Sequence, residues 1–181
     1  MGKPKTRLDD AILKGAVDHL KYEIAMLKET AGTLSQQPRL SWAVKNALVE
    51  SWVIHARGLI LFLYHSPAKE DDVMACDYFR DGTWEKHRRP IPGLLETTLT
   101  RANKEVAHIT TFRIGKRLVD KQWDHNAITA CILDLFRDFF GEVPEARMPG
   151  GYVEWFRALT SAPPGADVED TDLEETSTRS T

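Results

Sequence analysis

Apolar residues recur along this chain at spacings of three and four, and the spacing predicts helices. Leu13, Val17, Leu20, Ile24 and Leu27 make one apolar stripe of an amphipathic helix. The first helix is expected from about Leu8 to Thr30, with Asp9 and Asp10 at its positive N-terminal pole and Gly32 as its stop. After Pro38, the residues Val44, Leu48, Trp52, Leu59, Phe62 and Leu63 predict a second helix over Arg39 to His65. Asn46, Glu50 and Arg57 fall on its far side, whereas His55 sits near the centre of the apolar face beside Ser51.

The pattern then breaks for a long connection, residues 66–93. Asp71 and Asp72 could cap a short helix over Val73 to Phe79, and Gly82, Pro90, Pro92 and Gly93 oppose regular structure after it. Leu95, Leu99, Ala102, Val106 and Ile109 predict a third long helix over Leu94 to Arg113, and Ile128, Ile132, Leu135, Phe136 and Phe139 a fourth over His125 to Phe140. A short amphipathic piece, YVEWFRAL at 152–159, is expected to cover an open end of the bundle. No Val/Ile/Thr-rich stretch of period two interrupts this series. The expected class is all-α: a four-helix bundle with a long connection between helices 2 and 3 and short extra helices. Residues 1–160 form one domain, and an acidic tail, 161–181, is expected to be disordered.

Composition fits that picture. Apolar residues make up 42% and charged residues 28% of 181 positions, the profile of a soluble globular domain. The longest apolar run, GLILFLY, is too short for a bilayer, and MGKPKTRLDD lacks the apolar core of a secretory signal. Cys76 and Cys131 lie far apart, outside any CxxC or Cys/His cluster, so a disulfide scaffold is not expected. Together these point to a cytoplasmic protein without a membrane partner.

Charge changes the picture more. The net charge of −3 conceals a tail with Asp167, Glu169, Asp170, Asp172, Glu174 and Glu175 against Arg179 alone. The body is therefore slightly basic. Arg101, Lys104, Arg113, Lys116, Arg117 and Lys121 crowd into one stretch with only Glu105 and Asp120 among them. Such a field attracts phosphates, and the bland alternative is a solvated helix end. WEKHRRP at 84–90 sets Trp84 beside Arg88 and Arg89, a mixture suited to single-stranded RNA. A Trp84 tucked against the bundle explains the same pattern.

Within the basic stretch, Arg101 and His108 are seven residues apart. An α-helix advances roughly 700° over seven residues, so the two would share a face about 10.5 Å apart along the axis. Glu105 would lie on the same side. A histidine moves protons near neutral pH, and an arginine fork matches phosphate oxygens. Truncating either is expected to cost under about 1 kcal/mol, because both sit beside the apolar stripe rather than in it. Ser51 and His55, with Asn103 and Glu105, form a second candidate polar site, for which a hydrogen-bonded core histidine is the alternative. A di-iron bundle needs two Glu-x-x-His pairs. Only Glu105 and His108 have that spacing, and no HxxxH, P-loop, GxGxxG or GxSxG occurs, so neither metal nor cofactor is expected.

The stretch RANKEVAH, Arg101 to His108, resembles the R-x(4–6)-H motif of the HEPN superfamily. The resemblance implies a small helical bundle, usually a homodimer, with Arg101 and His108 as the motif pair of a composite site across the dimer interface. Active members are metal-independent endoribonucleases; others bind nucleotides, RNA or proteins without catalysis. The basic stretch and WEKHRRP make Lys104, Arg113, Lys116, Arg117, Arg88 and Arg89 candidate RNA contacts. In that family a polar residue usually follows the arginine, and here the position is Ala102, with Asn103 next. The departure bears on catalysis more than on fold. Two functions therefore follow from the sequence: an RNA-cleaving or RNA-binding protein, or a non-catalytic module that binds a protein partner as a regulator, antitoxin or stress accessory factor. A pair facing an open groove favours the first. An Arg101 sealed by Glu105 favours the second.

Overall fold

The computed structural model describes residues 8–37, 39–64, 71–79, 83–107, 110–111, 114 and 122–161. These form an all-α fold with six α-helices and no strand among the described residues. Helix α1 spans Asp10–Gln36, α2 Trp42–Tyr64, α3 Thr83–His87, α4 Gly93–Arg101, α5 His125–Glu142 and α6 Tyr152–Ser161. α1 and α2 make a hairpin, α5 lies against both, and α4 packs on α2 and α5.

α1 begins where Asp9 caps it, its carboxylate accepting from the Ile12 N–H at 2.8 Å. Its expected stripe of Leu13, Val17, Leu20, Ile24 and Leu27 is buried. The expected stop at Gly32 is not one, since the helix runs on to Gln36. Ala31 and Gly32 are both buried there, and burial outweighs the roughly 1 kcal/mol that an interior glycine costs.

α2 starts three residues later than the sequence suggests, after Ser41, whose Oγ accepts from the Val44 N–H at 3.3 Å. Its buried residues begin only at Trp52; Trp42 and Val44 are exposed. Taken whole, this 23-residue helix is long and apolar enough to cross a membrane by length and composition, which the seven-residue apolar run does not reveal.

The connection after α2 feeds the core. In place of the expected helix over Val73 to Phe79 there is a 3-10 turn, Ala75–Tyr78. The Asp77 carboxylate accepts from the Met74 N–H at 2.8 Å and closes that turn. Tyr78 is fully buried and donates to the Leu13 carbonyl at 2.8 Å. α3 was not anticipated; it delivers Trp84 to the core, where its Nε1 donates to the Leu63 carbonyl at 3.2 Å. Phe139 of α5 sits at the centre. Its ring centroid lies 5.3 Å from Phe62, 5.6 Å from Tyr78 and Trp84 and 5.9 Å from Phe79, all steeply inclined to it, the arrangement favoured by ring quadrupoles.

The third long helix is shorter than its apolar spacing suggests. α4 ends at Arg101, and Ala102–Ala107 form one turn of π-helix. A π-turn bonds i to i+5 and rotates less per residue than an α-helix. The α-helical register that would place Arg101 and His108 on one face therefore stops at Arg101. The acidic tail lies outside the described residues.

α5 is capped by Asp124, whose carboxylate accepts from the Ala127 N–H at 3.1 Å. α6 follows Gly151, which adopts φ 88°, a value that favours glycine. α6 runs parallel to α1: Tyr152 donates to Asp18, Lys21 stands 5.6 Å from the Trp155 ring, and Lys28 donates to the Leu159 carbonyl.

Candidate functional site

Arg101 is the last residue of α4, and Glu105 lies four residues on, within the turn of π-helix. Arg101 Nε donates to Glu105 Oε1 at 2.9 Å and Nη2 to Oε2 at 3.0 Å, a two-pronged ion pair. The third nitrogen, Nη1, donates to the Gln122 carbonyl at 3.0 Å. The guanidinium plane lies 4.0 Å from the centroid of the Trp123 ring, a cation–π contact. Only 18% of the arginine side chain and 9% of the glutamate side chain are accessible.

Below Trp123 the stack continues. Trp123 meets Trp52 edge-on at 5.7 Å, and Trp52 donates to Thr129 Oγ1 at 2.9 Å. Arg101 thus joins the end of α4 to the approach to α5 and, through two indoles, to the buried face of α2. Beside it, Arg57 Nε donates to Asn103 Oδ1 at 2.8 Å. His108, Arg113, Lys116 and Arg117 lie outside the described residues.

The other candidates are dispersed. Arg88 donates to the Leu63 carbonyl at 2.8 Å and stands 5.2 Å from the Tyr64 ring. Arg89 bonds Asp138 at 2.6 Å and Asp134 at 2.8 Å. Both line an open groove of about 460 Å³ with Leu61, Tyr64, Ile91 and Leu99. Burial pushes the Tyr64 hydroxyl above its ordinary range there, against the pull of Arg88 and Arg89. Trp84 is buried against Phe79 rather than offered to a base. Lys104 is exposed.

Of Ser51, His55, Asn103 and Glu105, the last three bond to different partners. His55 Nδ1 lies 2.7 Å from Glu23 Oε2, across the α1–α2 hairpin. Asn103 serves Arg57 and Glu105 serves Arg101. Sequence reading missed Glu23, Gln122, Trp123, Asp134 and Asp138 as partners. Only Glu105, four residues from Arg101, carried a local signal.

Comparison with known proteins finds no matching family model, curated protein or solved structure.

Proposed function

We propose that this chain is a non-catalytic, HEPN-like helical module that binds a protein partner. The observation that carries the reading is the engagement of Arg101. Each of its three guanidinium nitrogens donates within the chain, and its face rests on Trp123. These bonds take three of its five N–H groups, and the Nε–Nη2 fork that would grip a phosphate is already closed on Glu105. Freeing this fork breaks a two-pronged ion pair with a nearly buried Glu105 carboxylate, a cost that phosphate binding has to meet first. Ala102 in the position of the family's polar residue agrees with loss of catalysis.

Two of the three described cations chosen as RNA contacts fit the same reading, because Arg88 and Arg89 also bond within the chain, while Lys104 is exposed. The surface also offers apolar side chains. Tyr22 of α1 and Ile54 of α2 are 57% and 61% exposed, and the Tyr22 ring lies 5.8 Å from that of His55. Exposed aromatic and aliphatic side chains on one hairpin suit a protein contact better than a phosphate backbone.

The deciding experiment incubates the purified chain with mixed RNA, with and without EDTA, beside Arg101→Ala. No cleavage by any sample is expected, together with a lower melting temperature for the variant. Cleavage by the wild type that Arg101→Ala abolishes at an unchanged melting temperature would return Arg101 to an active site.

A further inference from the structure

The first turns of α2 are exposed. At ~100° per residue, Trp42, Lys45 and Val49 fall within about 60° of the centre of the stripe formed by the buried residues of α2. That stripe is buried from Trp52 onward. Two to three turns earlier Trp42 is 83% exposed, and Ser41 to Ala47 are exposed throughout. A core-facing stripe thus continues past the point where the described residues cover it, ending in the largest apolar side chain a protein has.

Its charge is of one sign. From Gly32 to Val49 the only charged residues are Arg39 and Lys45, both basic and both exposed. Ser35 bonds His125 and Asn126, which brings the start of α5 near the end of α1, and the Asp124 carboxylate there already caps α5. The surface therefore fits a segment that alternates acids with apolar residues.

We infer that this surface is a docking site for the chain's own C-terminal segment, residues 163–175. The segment reads PPGADVEDTDLEE, with Val168 and Leu173 set among six acids. Its origin is well placed. Because α6 runs parallel to α1 and its Leu159 carbonyl sits on Lys28, the chain leaves Ser161 beside the C-terminal third of α1. Gln36 at the end of α1 is about 12 Å further along, at 1.5 Å per residue. Six extended residues span up to roughly 20 Å, so Asp167 and its successors reach the start of α2. The acids meet Arg39 and Lys45, and one of the two aliphatic residues covers the Trp42 indole.

The test uses the full-length chain and a zero-length carbodiimide, which joins a lysine amine to a carboxylate in direct contact. Mass spectrometry of the monomeric product should show Lys45 joined to acids between Asp167 and Glu175. The yield should fall about fivefold or more in ~1 M NaCl, where the Debye length is near 3 Å. Trp42→Ala should lower it comparably, with an unchanged circular dichroism spectrum. Joining of the tail equally to Lys14, Lys86 and Lys104 would overturn the inference. So would a Lys45 product confined to dimers, which assigns the surface to a second copy, or no tail product at Lys45.

Discussion

Arg101 and Trp123 are stacked, with the guanidinium carbon 4.0 Å from the indole centroid and the Gln122 carbonyl bonded to the same arginine. The contact ties the end of α4 to the approach to α5. It converts a side chain of catalytic appearance into a clasp, and its removal should be felt in stability. Arg101→Ala is expected to cost about 1–3 kcal/mol, because the nearly buried Glu105 carboxylate loses a two-pronged ion pair and Trp123 loses its cation. This exceeds the cost of under about 1 kcal/mol that a boundary position suggests. Arg101→Lys should recover little, since an ammonium reproduces neither the fork nor the stacking. Urea denaturation of the three proteins checks both statements.

Phe139 anchors the aromatic cluster shared by α2, α5 and the connection. Phe139→Ala should cost about 3–5 kcal/mol, because four rings lose their common neighbour and cannot all collapse into the space. Phe139→Leu should cost clearly less. Thermal melts of the two variants against wild type would separate a packing role from a generic one; equal losses would argue against it.

Tyr152 sets an alkaline limit. Burial, then its hydrogen bond to Asp18, pushes its hydroxyl up to about 12. Tyrosine in an unfolded chain titrates near 10. The folded state therefore favours the neutral phenol. Its contribution is complete below pH 10 and is lost as pH rises from about 10 through about 12. Tyr152→Phe should flatten the fall in stability across that window and leave the curve below pH 9 parallel to wild type, as read by denaturant midpoints at stepped pH. An unchanged slope would show that the phenol ionises as in the unfolded chain.

Trp42 should contribute almost nothing to folding. At 83% exposure, Trp42→Ala should shift stability by less than about 0.5 kcal/mol. Trp52→Ala, at a fully buried position, should cost about 3–5 kcal/mol. The pair measured side by side would show whether the apolar stripe of α2 divides between core and surface where the structure divides it.

The stripes of α1 and α5 were legible because burial there follows the 3.6-residue period without interruption. Leu13 through Leu27 and Ile128 through Phe139 were named as core and are core. Val44 was not legible, because period reports which face is apolar and not how far a neighbour extends to cover it. The π-turn after Arg101 was hidden for a related reason: Val106 continues the α spacing through it. Trp123 and Gln122 could not be found at all by local pattern, since they meet Arg101 across more than twenty residues. The Glu105 pairing alone followed from spacing.

The parallel course of α6 along α1 has a consequence for synthesis. Lys28 finds its carbonyl partner 131 residues downstream, and Tyr152 reaches back to Asp18. During translation α1 leaves the ribosome first and waits for the last helix to cover that flank. Contacts of such long separation form late and slow the search for the native state. In the interval the α1–α2 hairpin displays both its own apolar stripe and the uncovered stretch at Trp42. The nascent chain is therefore most exposed to wrong association before residue 152 emerges, and a chaperone that reads apolar helix faces has its longest opportunity there.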